Sequence, residues 1–475
     1  MGLVRKFYSV DRMVRPENLR GELPATKEAY KRLSSIAIPS VIEMVFMSLI
    51  GSVDVIMVSV LGYEAIAAVG LAGQPRMLML SLVFALNIGV TAIIARRKGQ
   101  NLPDEANRTL RNALVLITGL VFVITIASVA LSKQLMLLAG AQEDTFEMAT
   151  TYFRILSCFF PVNALTMCIN AAQRGTGNTR ITMYANLTAN VVNLFFNYLL
   201  IGGNFGFPAL GVAGAAYATG IGACVGLVLS LMALFGRKHH DQFLRISLHD
   251  DWRLHPETLR SIVKVGGNAM IEQVLVRIGF FFYSAIVASL GTVAFAAHQV
   301  GIQFLTLSFT FGDGIAVAGT ALVGQMLGKE RPDVATIYGK CSQRLALTVS
   351  VFLATTIAFS RHFLVSIFLN PADPANLASY QLACTILLMV ALFQVPQMSS
   401  VVLSGCLRGS GDNLFVAVAM MICVVGVRPT LSLFAVHVLH MGLVGAWSAS
   451  LIDMSLRLTL VFRRFSGGKW HNKKV

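Results

Sequence analysis

Twelve long apolar runs, parted by short polar breaks, constrain this sequence more than any motif it carries. They lie near 33–60, 66–95, 109–131, 151–173, 181–202, 210–235, 259–289, 294–326, 342–360, 377–406, 413–436 and 442–462. About 20 apolar residues suffice for one helix to cross a bilayer, and the longer runs predict tilt or extension into water. Composition points the same way: 55% of the 475 residues are hydrophobic and 13% are charged, with a mean hydropathy of +0.69. A soluble chain of this length needs more charge to cover its surface. The expected fold class is all-α integral membrane, with twelve transmembrane helices.

The formal net charge of +15 raises nucleic acid as a partner, and its distribution argues against one. Basic residues gather between apolar runs, as in "ARRKGQNLPDEANRTLR" (95–111) and "FGRKHHDQFLR" (235–245), with no basic face interleaved with aromatics. With the N-terminus inside, the inner segments are 1–32, 96–108, 174–180, 236–258, 327–341, 407–412 and 463–475, and each carries Lys or Arg. The outer loops hold little beyond Lys133 and Arg361. Both termini are therefore expected in the cytoplasm, with the chain spanning a bacterial inner (plasma) membrane many times. Residues 1–32 lack the apolar stretch of a cleaved signal peptide. The seven cysteines sit mostly inside apolar runs without a CxxC, which reads as packed thiols rather than disulfides or a zinc site.

The two halves repeat. A shift of 229 residues lays "TAIIARRKGQNLPDEA" (91–106) on "TALVGQMLGKERPDVA" (320–335), "LGYEAIAAV" (61–69) on "LGTVAFAAH" (290–298) and "VIEMV" (41–45) on "MIEQV" (270–274). A slightly larger shift pairs "RGTGNT" (174–179) with "RGSGDN" (408–413). This divides the chain into a cytoplasmic segment 1–32, an N-terminal lobe 33–235, a cytoplasmic interlobe loop 236–258, a C-terminal lobe 259–462 and a cytoplasmic tail 463–475. Six spans per repeat start both halves on the same side, so the lobes should be related by an axis along the membrane normal, with a cavity between them suited to alternating access.

These features together resemble the multidrug and toxic compound extrusion (MATE) transporters. The likeness rests on "VDVIMVSVLGYEAIAAVG" at the first span, "AAHQVGIQ" (296–303) in the second half, and the paired "RGTGN" and "RGSGD" loops, and it covers roughly 30 to 465. It implies a two-lobe antiporter, not an enzyme, that exports organic cations or amphipathic compounds in exchange for inward Na+ or H+. No cofactor is implied beyond that coupling ion, and the partners are lipid and small substrates, with the chain as a monomer. Within the family the first half is most similar to the DNA-damage-inducible F (DinF-like) branch. Pro39 stands fifteen residues before Asp54, and Tyr152, Asn170 and Asn193 match that branch's polar cluster in spacing. The chain departs at Asn197, where studied members often carry Asp, leaving Asp54 as the only carboxylate of the cluster. It also lacks an acidic residue in span ten.

Ionisable residues inside a membrane are costly unless paired or hydrated, which makes them functional candidates. Asp54 is the clearest, against the alternative of a carboxylate satisfied structurally. Asn193 and Asn197 share a helix face that Asn186 and Asn190 extend, and helix–helix glue is the alternative for all four. Asp54, Asn193, Asn197 and Thr219 supply the hard oxygens that Na+ prefers, with Tyr152 and Asn170 completing a polar shell. Pro39 removes a backbone hydrogen bond from span one and creates a bend point. Glu43 and Glu272 occupy equivalent repeat positions and either line a substrate cavity or pair with Arg76, Arg277 or Lys264. Gln74, Gln299 and Gln303 are further cavity candidates, Arg428 is expected in an interlobe pair, and His298 reads as a structural residue. The glycine loops lack the GK[ST] of a phosphate loop and read as cytoplasmic turns, and no ATP-hydrolysing module is present. The alternatives weighed are a lipid-linked sugar flippase, which calls for a more cationic cavity, and a membrane enzyme, for which HExxH and GxSxG are both missing.

Overall fold

The computed structural model describes residues 6–235, 243–247, 249–369 and 377–471. Parts of the expected interlobe loop 236–258, of the N-terminal segment and of the tail 463–475 lie outside the described residues. Among the described residues twelve long helices carry the fold: α1 (Thr26–Ser59), α2 (Tyr63–Gly99), α3 (Pro103–Ala130), α4 (Glu143–Thr176), α5 (Thr179–Gly202), α6 (Gly211–Phe235), α7 (Pro256–Ala288), α8 (Thr292–Gly328), α9 (Pro332–Ser366), α10 (Leu377–Gly409), α11 (Asn413–Val438) and α12 (Gly442–Ser466). Ten hold an apolar stretch long enough to cross a bilayer. The exceptions are α5, which carries the asparagine ladder, and α12, which carries Asp453 and Arg457. Hydrocarbon offers backbone groups no partners, so runs of this kind fold as helices that satisfy their own hydrogen bonds. π-helical turns interrupt α11 at Met421–Val427 and Phe434–Val438, on either side of Arg428 and Pro429.

The chain forms two compact units, residues 42–270 and residues 1–41 with 271–475. The division differs from the lobes drawn at 33–235 and 259–462, because α1 and α7 each change unit partway along. The start of α1 packs into the second unit, where Ala29, Leu33, Ile36 and Ala37 join a core with Leu322, Met326, Tyr338 and Cys341. The start of α7 stays in the first unit, where a Cβ on Gly266 would lie 3.1 Å from Leu86 of α2. Within the first unit α4 is central, packing on α2, α3 and α6; within the second its repeat counterpart α10 packs on α8, α9 and α12.

The repeat reaches the backbone. Pro103 and Pro332 both open a helix at the first turn, where proline's missing N–H costs nothing. The residues two positions before them, Asn101 and Glu330, both take left-handed φ of 57° and 59°. The "RGTG" and "RGSG" motifs resolve into two glycine roles. The first glycine is helical and lets two helices touch: a Cβ on Gly175 would lie 2.7 Å from the Thr91 carbonyl oxygen, and one on Gly409 would lie 2.2 Å from that of Thr320. The second, Gly177 at φ 83° or Gly411 at φ 88°, makes the left-handed turn that ends the helix. The turn reading therefore holds for one glycine of each pair, and close helix approach explains the other.

Candidate functional site

Beyond its first turn, helix α1 carries Glu43 and Asp54, eleven residues apart. Eleven residues make three turns, so both point from one face, separated by about 16 Å along the axis. Helix α5 answers with Asn186, Asn190, Asn193 and Asn197, whose spacing places them in a single stripe. The two faces are in register. Asn186 donates to Glu43, and eleven residues later Asn197 donates to Asp54 Oδ1 at 2.7 Å. The ladder thus bridges two carboxylates within the first unit.

At the Asp54 end the predicted residues come together. In the amide orientation that satisfies both of its neighbours, Asn193 accepts the Thr219 backbone N–H at 3.1 Å and donates to Asp54 at 3.0 and 3.3 Å. Asn197 is 1% exposed, and its carbonyl oxygen is buried without a hydrogen-bond partner among the described residues. Asp54, Asn193, Asn197, Thr219 and Tyr152 all line one cavity of about 340 Å³, together with Arg76, Asn163, Thr166, Asn186 and Asn190. A carboxylate, a hydroxyl and an orphaned amide oxygen are hard donors carrying a single negative charge, the set a small monovalent cation prefers. Water reaching such a cavity offsets the cost of charge at this depth.

Other candidates fall elsewhere. Asn170 belongs to the opposite end, where it donates to Asn186 at 3.0 Å and accepts from Ser230 at 3.2 Å. Glu43 is 1% exposed and does not line the Asp54 cavity; Arg174, Thr182 and Asn186 all donate to it. Glu272 is buried in the second unit against Arg408, so neither glutamate is free to meet a substrate in this structure. Gln74, Gln299 and Gln303 are exposed on their helices and do not line the Asp54 cavity. Pro39 lies inside α1, four residues before Glu43.

Sequence reasoning missed the partners of the glutamates. Glu43–Arg174 and Glu272–Arg408 are one ion pair built twice, from the repeated "VIEMV"/"MIEQV" and "RGTG"/"RGSG" motifs. The signal lay in that duplication, because residues paired in one repeat should be paired in the other. Arg428 also has a different partner from the one expected. It donates to Asp453 within the second unit, at 2.9 Å from Nε, and stacks 5.6 Å from the Tyr283 ring, at the repeat position of Asp54. His298 sits edge-on to Tyr283 and Trp447, each 5.6 Å away, in an aromatic cluster.

Duplicated helical bundles with a polar, acid-lined cavity inside one bundle define a polytopic membrane transporter. The MatE family profile matches residues 39–199 and again 269–433, one match per repeat. The chain belongs to the MatE family, whose members are transporters and not enzymes. It is 29% identical over 449 residues to "Probable multidrug resistance protein NorM" of Thermotoga maritima, covering 94% of each chain. It is 28% identical over 449 residues to "Uncharacterized transporter YisQ" of Bacillus subtilis, covering 93% of this chain and 95% of that one. Among solved structures, an outward-facing MATE transporter of the MOP superfamily superposes with a TM-score of 0.85 at 23% identity, covering 93% of this chain and 97% of that one.

Proposed function

We propose that this protein is a secondary active antiporter that exports organic cations and amphipathic compounds from bacteria, exchanging them for inward Na+ or H+ at Asp54. The observation that carries the reading is the orphaned, buried Asn197 oxygen beside the Asp54 carboxylate, in a cavity of about 340 Å³. The name of the Thermotoga relative supports drug export. A lipid-linked sugar flippase finds no support among the relatives.

Asp54 can hold a cation through its carboxylate, with the Asn197 carbonyl oxygen and the Thr219 hydroxyl as further oxygens and Asn193 orienting the carboxylate through its amide N–H, or it can hold a proton. Either ligand removes negative charge from the wall of the cavity and so weakens its hold on a cationic substrate. Competition of this kind is sufficient for exchange when the two ligands favour different conformations. In the first unit α1 is fastened to the asparagine ladder through its acids. Pro39 removes one rung of its backbone ladder, which makes the helix easier to bend when Asp54 changes state. The protein works as a multi-pass monomer in the inner membrane, with both termini in the cytoplasm.

Everted vesicles test the proposal. A fluorescent cation should move only under an imposed Na+ or H+ gradient, and imposing each gradient alone names the coupling ion. Asp54→Asn should fold and lose gradient-driven movement; full movement with this variant refutes the reading.

A further inference from the structure

Around Arg457 of α12 the second unit buries more positive charge than negative. Arg428, Arg457 and Asp453 are 2%, 4% and 0% exposed, and Asp453 is already engaged by Arg428, whose Nε donates to its Oδ2 at 2.9 Å. Glu272, whose field also reaches Arg457, is paired with Arg408, and Asp313 acts on Arg408 from an exposed position on α8. Among the described residues Arg457 donates only from Nη1, to the Met420 sulfur at 3.2 Å, and its Nε and Nη2 are buried without a partner. Those two nitrogens share one edge of the guanidinium, so both donors converge on a single small acceptor. The repeat sets this cluster where the first unit carries its cation candidates. Helix α11 packs on α12 as α5 packs on α6. Laying "LGVAGAAYA" (210–218) on "MGLVGAWSA" (441–449) puts Ser450 in the place of Thr219, Asp453 in that of Gly222 and Arg457 in that of Gly226. In the first unit these glycines let α5 and α6 touch, a Cβ on Gly222 lying 2.7 Å from the Ala189 carbonyl oxygen. In the second unit charged side chains replace both, and the stretch of α11 that corresponds to Ala189 opens into the π-helical turn Met421–Val427.

We infer that the Nε–Nη2 edge of Arg457 is a buried site for a small monovalent anion, chloride by size and charge. A guanidinium keeps its proton in proteins, so its burial is not relieved by neutralisation. Water satisfies the two donors and leaves the charge uncompensated, whereas a halide ion satisfies both demands. Asp453 Oδ1, also buried without a partner among the described residues, is an acceptor and suits water and not the anion. The site lies in the unit that lacks Asp54, so it does not depend on the antiport reading. Where the first unit presents a carboxylate to a cation, the second presents a surplus guanidinium to an anion.

The test follows thermal unfolding of the purified full chain while chloride replaces gluconate at constant sodium and constant ionic strength. A ligand held by the folded state alone raises the unfolding temperature as its concentration rises. The wild-type protein should therefore gain stability with chloride, and Arg457→Gln should raise the apparent Kd roughly tenfold or more, the size of one charge-assisted contact. Arg76→Gln, which removes the guanidinium lining the first-unit cavity, should keep the wild-type response. No chloride response in the wild-type protein means that water alone fills the edge and overturns the inference. A response that Arg457→Gln retains, or that Arg76→Gln abolishes, overturns it as well. Crystals of the wild-type protein grown in bromide guard against a variant that fails to fold: an anomalous peak at Nε and Nη2 of Arg457 is expected, and its absence also refutes the site.

Discussion

Replacing Arg174 by Met isolates the repeated ion pair. Glu43 is 1% exposed while Arg174 is 23% exposed, so the substitution strands a buried carboxylate and not a buried cation. Breaking a buried pair from one side costs about 3–5 kcal/mol, because the remaining charge has lost its compensation. Glu43 keeps Thr182 Oγ1 at 3.0 Å and the Asn186 amide, which places Arg174→Met near the lower figure. Glu272 has no such reserve, since its second oxygen is buried without a partner among the described residues. Arg408→Met should therefore cost more than Arg174→Met, by about 1.5–3 kcal/mol, the value of a hydrogen bond to a charged group. The double variant Glu43→Met/Arg174→Met should recover most of the loss, since apolar replacement of a buried pair is often near neutral. Reversible unfolding in mixed SDS micelles, followed by circular dichroism, measures all of these. Two single variants each costing under about 1 kcal/mol, or an Arg174 variant costlier than its Arg408 counterpart, would refute the reasoning.

Other perturbations follow from the same geometry. Gly409→Ala and Gly175→Ala drive a methyl group onto a carbonyl oxygen at 2.2 and 2.7 Å, so each should lose about 1–3 kcal/mol or fail to accumulate in membranes, with Gly409→Ala the worse. Gly177→Ala meets the left-handed penalty at φ 83° and should cost about 1–2 kcal/mol in the same unfolding assay. Asn197→Ala removes the orphaned oxygen next to Asp54, so if Na+ is the ion exchanged there, binding of radioactive sodium to the purified protein should weaken roughly tenfold while the protein still folds. Asp333→Ala cuts the bonds that Asp333 accepts from the Arg20 backbone N–H at 3.1 Å and from Arg331, so limited proteolysis near residue 20 should accelerate with no change at the cavity.

Much of the architecture was legible because membrane insertion imposes a length on every apolar run. The twelve runs became twelve helices, and the repeat found by sliding the sequence on itself reappears in helix caps, left-handed turns and the central roles of α4 and α10. The polar residues were legible singly, since Asp54 and the asparagines stand out against an apolar background. Their partnerships were less so. Asn170 matched the right spacing and joined the wrong end of the ladder, because spacing along one helix says nothing about which turn of the neighbour it meets. Arg76 was legible only as a possible partner for a glutamate; its place in the cavity depends on how α2 turns its face past Pro75.

The sequence by itself determined that this chain crosses a membrane in two related sets of helices, and that charge within those helices is sparse enough to be meaningful. Hydropathy and periodicity are local properties, readable one span at a time. Only the tertiary structure decided that Glu43 and Glu272 are spent on arginines from the glycine motifs, that Arg428 answers Asp453 within one unit, and that Asp54 shares a cavity with Arg76. The physical reason is that a buried charge is settled by whichever group lies within a few ångströms of it. That group arrives from a helix tens or hundreds of residues away, on a face fixed by the packing of the whole unit.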